Sequence, residues 1–347
     1  MKMFLSTTLE VKKTSLLFFL FVSAALLSCA KKEERPYVNV SGPAQGTSFS
    51  ITYQPVDEVD YTPSIDSLFE LIDQSMSLWR DSSLINKVNR SSGTVLVDEH
   101  FANVFRGSEY FHSLSAGAFD PTVGPLLKFW KFARKSQESL PDTSQIRSIK
   151  EKIGLSHFKL SEDRQLTKDI PEATLDFNAI AQGYTVDVLA DFLKARGVKQ
   201  YLIEVGGEIR AQGINQSGAP WKVGIERPDF NQNEDRNEIE TILALDRGAL
   251  ATSGSYRKYV EVDGKKYSHT IDPKTGFPVD HHMLSVSVIA PSAMDADAYA
   301  TMFMVLGKEA ALAFANEHDL QIQCTSEEGG VLEITRSKDF DELLLKE

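Results

Sequence analysis

Residues 175–208 read LDFNAIAQGYTVDVLADFLKARGVKQYLIEVGGE, and the order of local signals in them decides the fold class. A turn holding Asp176 and Asn178 opens into the small residues Ala179, Ala181 and Gly183. A helix then runs on through Asp187 to Arg196, and Gly197 ends it. Gln200 to Glu204 is a short buried strand, which stops on Gly206-Gly207 before Glu208. Asp176 or Asn178 can cap the helix, and the same helix N-terminus is a natural seat for a pyrophosphate. The small residues allow the backbone to approach a neighbour closely.

Outward from this stretch, helices and strands alternate without a regular βαβ repeat. On the N-terminal side Gly46 to Tyr53 (GTSFSITY) alternates like a strand, Thr62 to Met76 carries Ile65, Leu68, Leu71 and Ile72 at helical spacing, and Phe101 to Ser115 is helical. On the C-terminal side strands dominate, at Trp221–Ile225, Ile239–Leu245, Tyr256–Val262 and Leu284–Ala290, followed by helices at Ala296–Leu306 and Lys308–His318. Val262-Asp263-Gly264-Lys265 reads as a hairpin connection, and Pro228–Glu238 as an exposed polar excursion. Hairpins mixed with helices predict an α+β fold rather than a doubly wound sheet.

The N-terminus reads as an address. Lys2, Lys12 and Lys13 precede an apolar run from about Thr14 to Leu27, too short to span a bilayer comfortably, and it closes on Leu26-Leu27-Ser28-Cys29. That ending resembles a bacterial lipobox, in which the Cys is lipidated and becomes the mature N-terminus. Residues 1–28 are therefore expected to be a lipoprotein signal peptide, 29–36 a charged, lipidated tether ending at Pro36, and 37–347 one folded domain. Acyl chains on Cys29 would anchor an exported protein to a membrane, at the periplasmic face or the cell surface of a bacterium. With Cys29 lipidated, Cys324 is left alone, and its apolar alternation (Leu320 to Cys324) makes it a buried strand residue.

Charge narrows the partners. The chain carries 37 basic and 49 acidic residues, a net −12, and loss of Lys2, Lys12, Lys13 and Glu10 with the signal makes the remainder about two charges more negative. That argues against a nucleic-acid or anionic-lipid surface. Bound phosphates would have to be met by a metal and by backbone more than by a basic pocket.

Four stretches carry residues beyond what folding needs. Residues 117–125, GAFDPTVGP, build a rigid loop with backbone exposed to a ligand, or an ordinary helix-to-strand turn. The second is the Leu175–Tyr184 turn with the Gly-Gly strand end after it. The third joins Ala251–Arg257 to Tyr267–Gly276, where His269 lies near Asp272 in a segment that breaks strand periodicity; histidine suits proton transfer near neutrality. The fourth places Asp297 and Thr301 at i and i+4 of one helix face. A carboxylate with a hydroxyl suits Mg²⁺; alternatively Thr301 bonds back within its own helix and Asp297 is solvated.

Taken in order, GAFDPTVGPL, LDFNAIAQGY, YLIEVGGEIRAQG, ATSGSYRKY, YSHTIDPKTGFPV and SVSVIAPSAMDADAYAT resemble the ApbE family of FAD:protein FMN transferases, from GTSFSITY to Leu306-Gly307. The resemblance implies a two-lobed α+β fold of mixed, largely antiparallel sheets with packed helices and an FAD groove between lobes. It implies metal ligands at the Ala179 carbonyl, the Asp297 carboxylate and the Thr301 hydroxyl, with Mg²⁺ on the pyrophosphate. FAD contacts fall at Gln45, Trp79, Ala118, Phe119, Asp120, Asp176, Gln182 and Ile271, and His269 matches the base that deprotonates an acceptor threonine. Trp79 stands where relatives often have Tyr, Gln182 where Lys or Glu is common, and Gln45 where Met is frequent.

The implied reaction moves FMN from FAD to a threonine of an exported or membrane redox subunit, such as those of sodium-pumping quinone reductases and Rnf complexes, and releases AMP. The acceptor threonine would lie in a motif resembling Asp/Ser-Gly-Ala-Ser/Thr-x-Thr. Two other readings stand beside it: a magnesium-dependent FAD pyrophosphatase using the same site with water, and a lipoprotein that binds flavin without chemistry.

Overall fold

The computed structural model describes residues 35–136, 143–228, 238–255, 259–262, 265–268 and 270–345. The signal segment, Cys29 and His269 lie outside the described residues, as does most of the Pro228–Glu238 excursion. From Tyr37 onward the chain is one compact unit.

Its frame is an eight-stranded sheet. Seven of the strands are β1 (Val38–Ala44), β2 (Thr47–Tyr53), β6 (Tyr201–Val205), β7 (Glu208–Gln212), β10 (Arg247–Gly254), β13 (Met283–Ala290) and β14 (Gln321–Glu328), and the eighth is β15 (Val331–Arg336), adjacent in that order. A small sheet holds β3 (Thr94–Leu96), β5 (Gln165–Lys168) and β4 (Phe158–Leu160). Two hairpins pair β8 (Trp221–Glu226) with β9 (Ile239–Leu245), and β11 (Tyr259–Val262) with β12 (Lys265–Ser268). The expected α+β fold of largely antiparallel sheets is observed, and every strand pair among the described residues is antiparallel. Short turns such as Gly206-Gly207 between β6 and β7 join neighbours directly, so no crossover helix is needed there.

Eight helices are described: α1 (Thr62–Met76), α2 (Leu84–Arg90), α3 (Glu99–Leu114), α4 (Gly124–Ser136), α5 (Thr143–Lys150), α6 (Ala181–Ala195), α7 (Ala293–Leu306) and α8 (Lys308–Glu317). The expected helix Thr62–Met76 and strand Ile239–Leu245 have the observed limits. Residues 117–125 lead into α4 and not into a strand, because Gly124-Pro125 starts a helix whose Leu126 and Trp130 are buried.

Alternation along the strands explains the layering. Val286 and Val288 of β13 join a core with Phe101 and Phe105 of α3 and Phe303 of α7, whereas Ile289 joins Trp221, Val223, Leu243 and Leu245 of the β8–β9 hairpin. Both faces of β13 are thus covered, which is why all of its positions are buried. Burying each such valine contributes about 1.5–3 kcal/mol. A further core joins Ile51 of β2, Ile65 of α1, Leu189 of α6 and Ile203 of β6. Cys324 is a free, buried residue of β14, as its alternation predicts, and burial pushes its thiol up to about 12.

Helix α7 runs through this interior. It buries Ala293, Ala296, Ala298, Ala300, Met302, Phe303 and Met304, so apolar side chains leave it on several sides, and Asp297 is buried among them. Helices α6 and α7 pack together, and α7 also lies on β10 and β13. No helix among the described residues is long and apolar enough to cross a membrane.

Candidate active site

Two adjoining clefts open where the N-terminus of α6 meets α7. The larger, about 560 Å³, is floored by Asp297 and Thr301 and walled by the end of β10, the 118–123 loop and residues 270–273. The smaller, about 370 Å³, includes Gln45, Asp73 and Arg80, and shares Trp79, Asn178 and Gln182 with the first. Both volumes are in the range of small-molecule sites.

The position of Asp297 follows from how α6 and α7 meet. Gly183 N–H donates to Asp297 Oδ2 at 3.0 Å. A Cβ on Gly183 would lie 2.2 Å from the Ala293 carbonyl oxygen and 2.8 Å from Asp297 Cβ, so only glycine lets the helices come this close. In return Asp187 of α6 accepts from Ala293 N and Met294 N of α7, both at 2.9 Å, and pairs with Arg210. Each helix supplies a carboxylate to the first turn of the other, where orphan N–H groups and the helix dipole favour negative charge.

This corrects two expectations. Neither Asp176 nor Asn178 caps α6: its N-cap is Ile180, with no side-chain bond, while Asp176 Oδ1 accepts from Asn178 N at 2.9 Å in a local turn. The capping carboxylate comes instead from a distant helix. Nor is Asp297 solvated. It is buried, and burial pushes its carboxyl up to about 7, with the Gly183 hydrogen bond as a smaller opposing effect. Thr301 Oγ1 lies 3.4 Å from the Ser253 hydroxyl at the end of β10, so Thr301 faces another element and not only its own helix.

Glu208, which carries no mark in the sequence beyond the Gly-Gly strand end before it, lines the same cavity. Gly206 and Gly207 have φ of 61° and 109°, a left-handed turn that starts β7 at Glu208. Gln182 Nε2 donates to the Val205 carbonyl at 3.0 Å, fastening α6 to this turn. A Cβ on Gly206 would lie 1.7 Å from that Gln182 nitrogen. The Glu208 side chain is buried and its Oε2 meets no hydrogen-bond partner among the described residues. Burial first, and the charge of Asp297 second, push its carboxyl well above the usual range.

The remaining wall is built from two loops held together. Asp176 N donates to the Pro121 carbonyl at 2.7 Å, and Asp120 Oδ1 accepts from Thr122 N at 2.8 Å and from the Thr122 hydroxyl at 2.5 Å. His112 Nε2 lies 3.8 Å from Asp120 Oδ2. Burial raises both the Asp120 and the Asp176 carboxyls. Ile271 packs with Leu126, Trp130 and Ile146, and Trp130 Nε1 donates to the Gly276 carbonyl at 2.9 Å, so residues 271–276 are docked on α4. Asp272 Oδ1 accepts from Lys274 N at 2.8 Å within that turn.

The structure therefore gathers the candidate positions it describes. Ala118, Phe119, Asp120, Asp176, Ile271 and the trio Ala179, Asp297 and Thr301 line the larger cleft. Trp79 and Gln182 line both clefts, and Gln45 lines the smaller, with its Nε2 donating to Thr185 Oγ1 at 3.1 Å. Trp79 is 84% exposed, an aromatic face standing open at the junction. Cys29 and His269 lie outside the described residues, although the neighbouring Thr270 lines the larger cleft.

The larger cleft presents the carboxylates of Asp120, Asp176, Glu208 and Asp297, and no Lys or Arg among its described lining residues. No group of three or more His, Cys, Asp or Glu side chains forms a metal cluster among the described residues. The oxygen donors available are carboxylates, hydroxyls and backbone carbonyls, a set that suits a hard cation sharing its remaining positions with phosphate and water.

The chain is similar to known proteins in sequence and in fold. The ApbE family model matches residues 45–325. An FAD:protein FMN transferase of Vibrio cholerae serotype O1 is 37% identical over 304 residues, covering 86% of this chain and 89% of its own. One from Escherichia coli K12 is 32% identical over 327 residues, covering 92% of each. Among solved structures, the flavin transferase ApbE from Vibrio cholerae superposes with a TM-score of 0.78 at 34% identity, over 89% of this chain and 99% of that one. The apo flavinyl transferase ApbE of Pseudomonas stutzeri gives 0.79 at 32% identity, over 90% and 98%.

Proposed function

The chain belongs to the ApbE family, and we propose that it is a magnesium-dependent FAD:protein FMN transferase acting on a threonine of an exported or membrane redox protein. The observation that carries the reading is the charge of the larger cleft. A cleft lined by four carboxyl groups, with no lysine or arginine among its described lining residues, offers a pyrophosphate no counter-charge unless a cation stands between them. The residues fit such a cation: Asp297 is held by Gly183, the Thr301 hydroxyl faces the same cavity, and a buried Glu208 oxygen has no partner. Asp297, Thr301 and the Ala179 carbonyl would hold Mg²⁺, which when bound neutralises pyrophosphate charge and polarises the phosphorus.

The chain's own groups do the rest by positioning. Trp79 offers its open indole face to the isoalloxazine ring, and the 118–120 backbone, Asp176, Gln182, Gln45 and Ile271 shape the bed for the rest of FAD. The acceptor threonine hydroxyl attacks the phosphorus that carries the ribityl chain. A new P–O bond forms, the pyrophosphate P–O bond breaks, AMP leaves with that electron pair, and His269 takes the hydroxyl proton. In this reading residues 1–28 direct export, Cys29 carries the lipid, and residues 30–36 tether the domain at a membrane surface where its acceptors reside.

The test is to incubate the protein with FAD, Mg²⁺ and a domain bearing the threonine motif, and to weigh the acceptor by mass spectrometry. An added FMN that is lost when EDTA replaces Mg²⁺ is expected. Free FMN and AMP with an unmodified acceptor would assign the site to FAD hydrolysis, and unconsumed FAD would leave a binding protein.

A further inference from the structure

We propose that Glu208 is a second carboxylate of the divalent-cation site, holding the cation together with Asp297. The inference rests on the reading of Asp297 as a cation ligand given above.

Glu208 is only 9% exposed, it lines the larger cleft, and its Oε2 meets no hydrogen-bond partner among the described residues. Burying a carboxylate oxygen without a donor or counter-ion is costly, and natural cores keep such groups only where something completes them. No cationic side chain among the described lining residues does so. Arg210, on the same strand, is committed to Asp187.

The placement is also prepared. The left-handed Gly206-Gly207 turn sets where β7 begins, and the bond from Gln182 to the Val205 carbonyl ties that turn to α6. Helix α6 is in turn fixed to Asp297 through Gly183. The two carboxylates are thus held by one connected set of contacts, and Glu208 feels the charge of Asp297. Two carboxyl groups kept close and dry cannot both stay charged, and one keeps a proton unless a cation takes its place. Mg²⁺ is commonly held by one or two carboxylates, with waters and substrate phosphates completing the octahedron. Asp297 has committed one oxygen to Gly183 N–H, so a second carboxylate adds an oxygen ligand to the one that Asp297 has left.

The experiment measures binding of Mn²⁺, a paramagnetic stand-in for Mg²⁺, to the full chain without FAD. It reads the electron-spin resonance of free Mn²⁺ for the unsubstituted protein, Glu208→Gln and Asp297→Asn. Glu208→Gln keeps the shape and removes the charge. Its Mn²⁺ affinity should fall at least tenfold, while its cation-free melting temperature should match or exceed that of the unsubstituted protein. Glu208→Asp, which keeps the charge and draws it back by one methylene, should lie between them and guards against a folding defect in the glutamine variant. Loss of Mn²⁺ binding in Asp297→Asn with unchanged affinity in Glu208→Gln would overturn the inference and leave the Asp297 reading standing. Unchanged affinity in both variants, or no binding by the unsubstituted protein, would overturn both.

Discussion

Gly183 and Asp297 meet across two helices at 3.0 Å, through a backbone N–H and a carboxylate oxygen, and one turn further along α6 Asp187 returns the contact to the N-terminus of α7. The reciprocal arrangement makes the floor of the larger cleft a consequence of helix packing. Asp297 cannot move without uncapping α6, and α6 cannot shift without disturbing the turn before Glu208, to which Gln182 is bonded.

Gly183→Ala should be severe. The added Cβ would lie 2.2 Å from backbone, the Ala293 carbonyl oxygen, so the helices must separate. Overpacking of this kind costs about 1–3 kcal/mol and here also displaces Asp297. Thermal denaturation should show a clear fall in melting temperature, and FAD turnover should fall further than the stability loss explains. A variant that melts with the parent would contradict the close approach.

Asp297→Asn should separate fold from chemistry. Asparagine keeps an oxygen for Gly183 N–H and removes a buried charge, so cation-free stability should hold or rise. Mg²⁺-dependent turnover should drop by about a hundredfold or more, the scale on which lost electrostatic stabilisation is felt in other sites. Steady-state rates at several Mg²⁺ concentrations decide it, and wild-type rates in the variant would remove Asp297 from the site.

The cation-free protein should be more stable in mild acid than at neutrality as far as Asp297 decides. Its carboxyl is raised to about 7 when folded, so the folded state binds that proton more tightly than the unfolded chain does. The contribution is fully present below about pH 4, where both states are protonated, and is lost as pH rises through about 7. Urea denaturation across this range, with EDTA and then with Mg²⁺, should show the neutral-pH loss shrinking once the cation is added. Asp297→Asn should flatten the same slope.

Trp79→Ala should leave the fold almost untouched, within about 0.5 kcal/mol, because the indole is 84% exposed. If the ring stacks on flavin, FAD affinity should weaken by roughly threefold to tenfold, in line with about 0.5–1.5 kcal/mol for an aromatic pair. Equilibrium dialysis or fluorescence titration with FAD gives the answer, and unchanged affinity would place the flavin elsewhere.

Much of the frame is legible from local pattern. Ile65 and Ile72 recur at helical spacing, and that periodicity survives as the buried face of α1. Alternation in 239–245 survives as β9 with the limits expected. The edge strand β1 left no comparable mark, because its burial pattern is mostly exposed or intermediate and Pro43 interrupts it. The capping of α6 is not legible locally for a related reason. Asp176 and Asn178 are the local candidates, whereas the actual partner lies 114 residues away in the chain.

What the sequence determined by itself was the set of parts: the α+β class, a turn opening into small residues at the start of α6, a Gly-Gly turn before β7, an i, i+4 pair of oxygen donors on α7, and a run of motifs in a recognisable order. These depend on short-range periodicity and residue chemistry, which a linear string carries in full. Only the tertiary structure decided that Asp297 is buried and not solvated, that it serves α6 as a cap, and that Glu208 shares its cavity with a free oxygen. Those facts concern desolvation and the meeting of groups far apart in the chain. They come into being only when helix α7, the β6–β7 turn and the start of α6 are packed against one another.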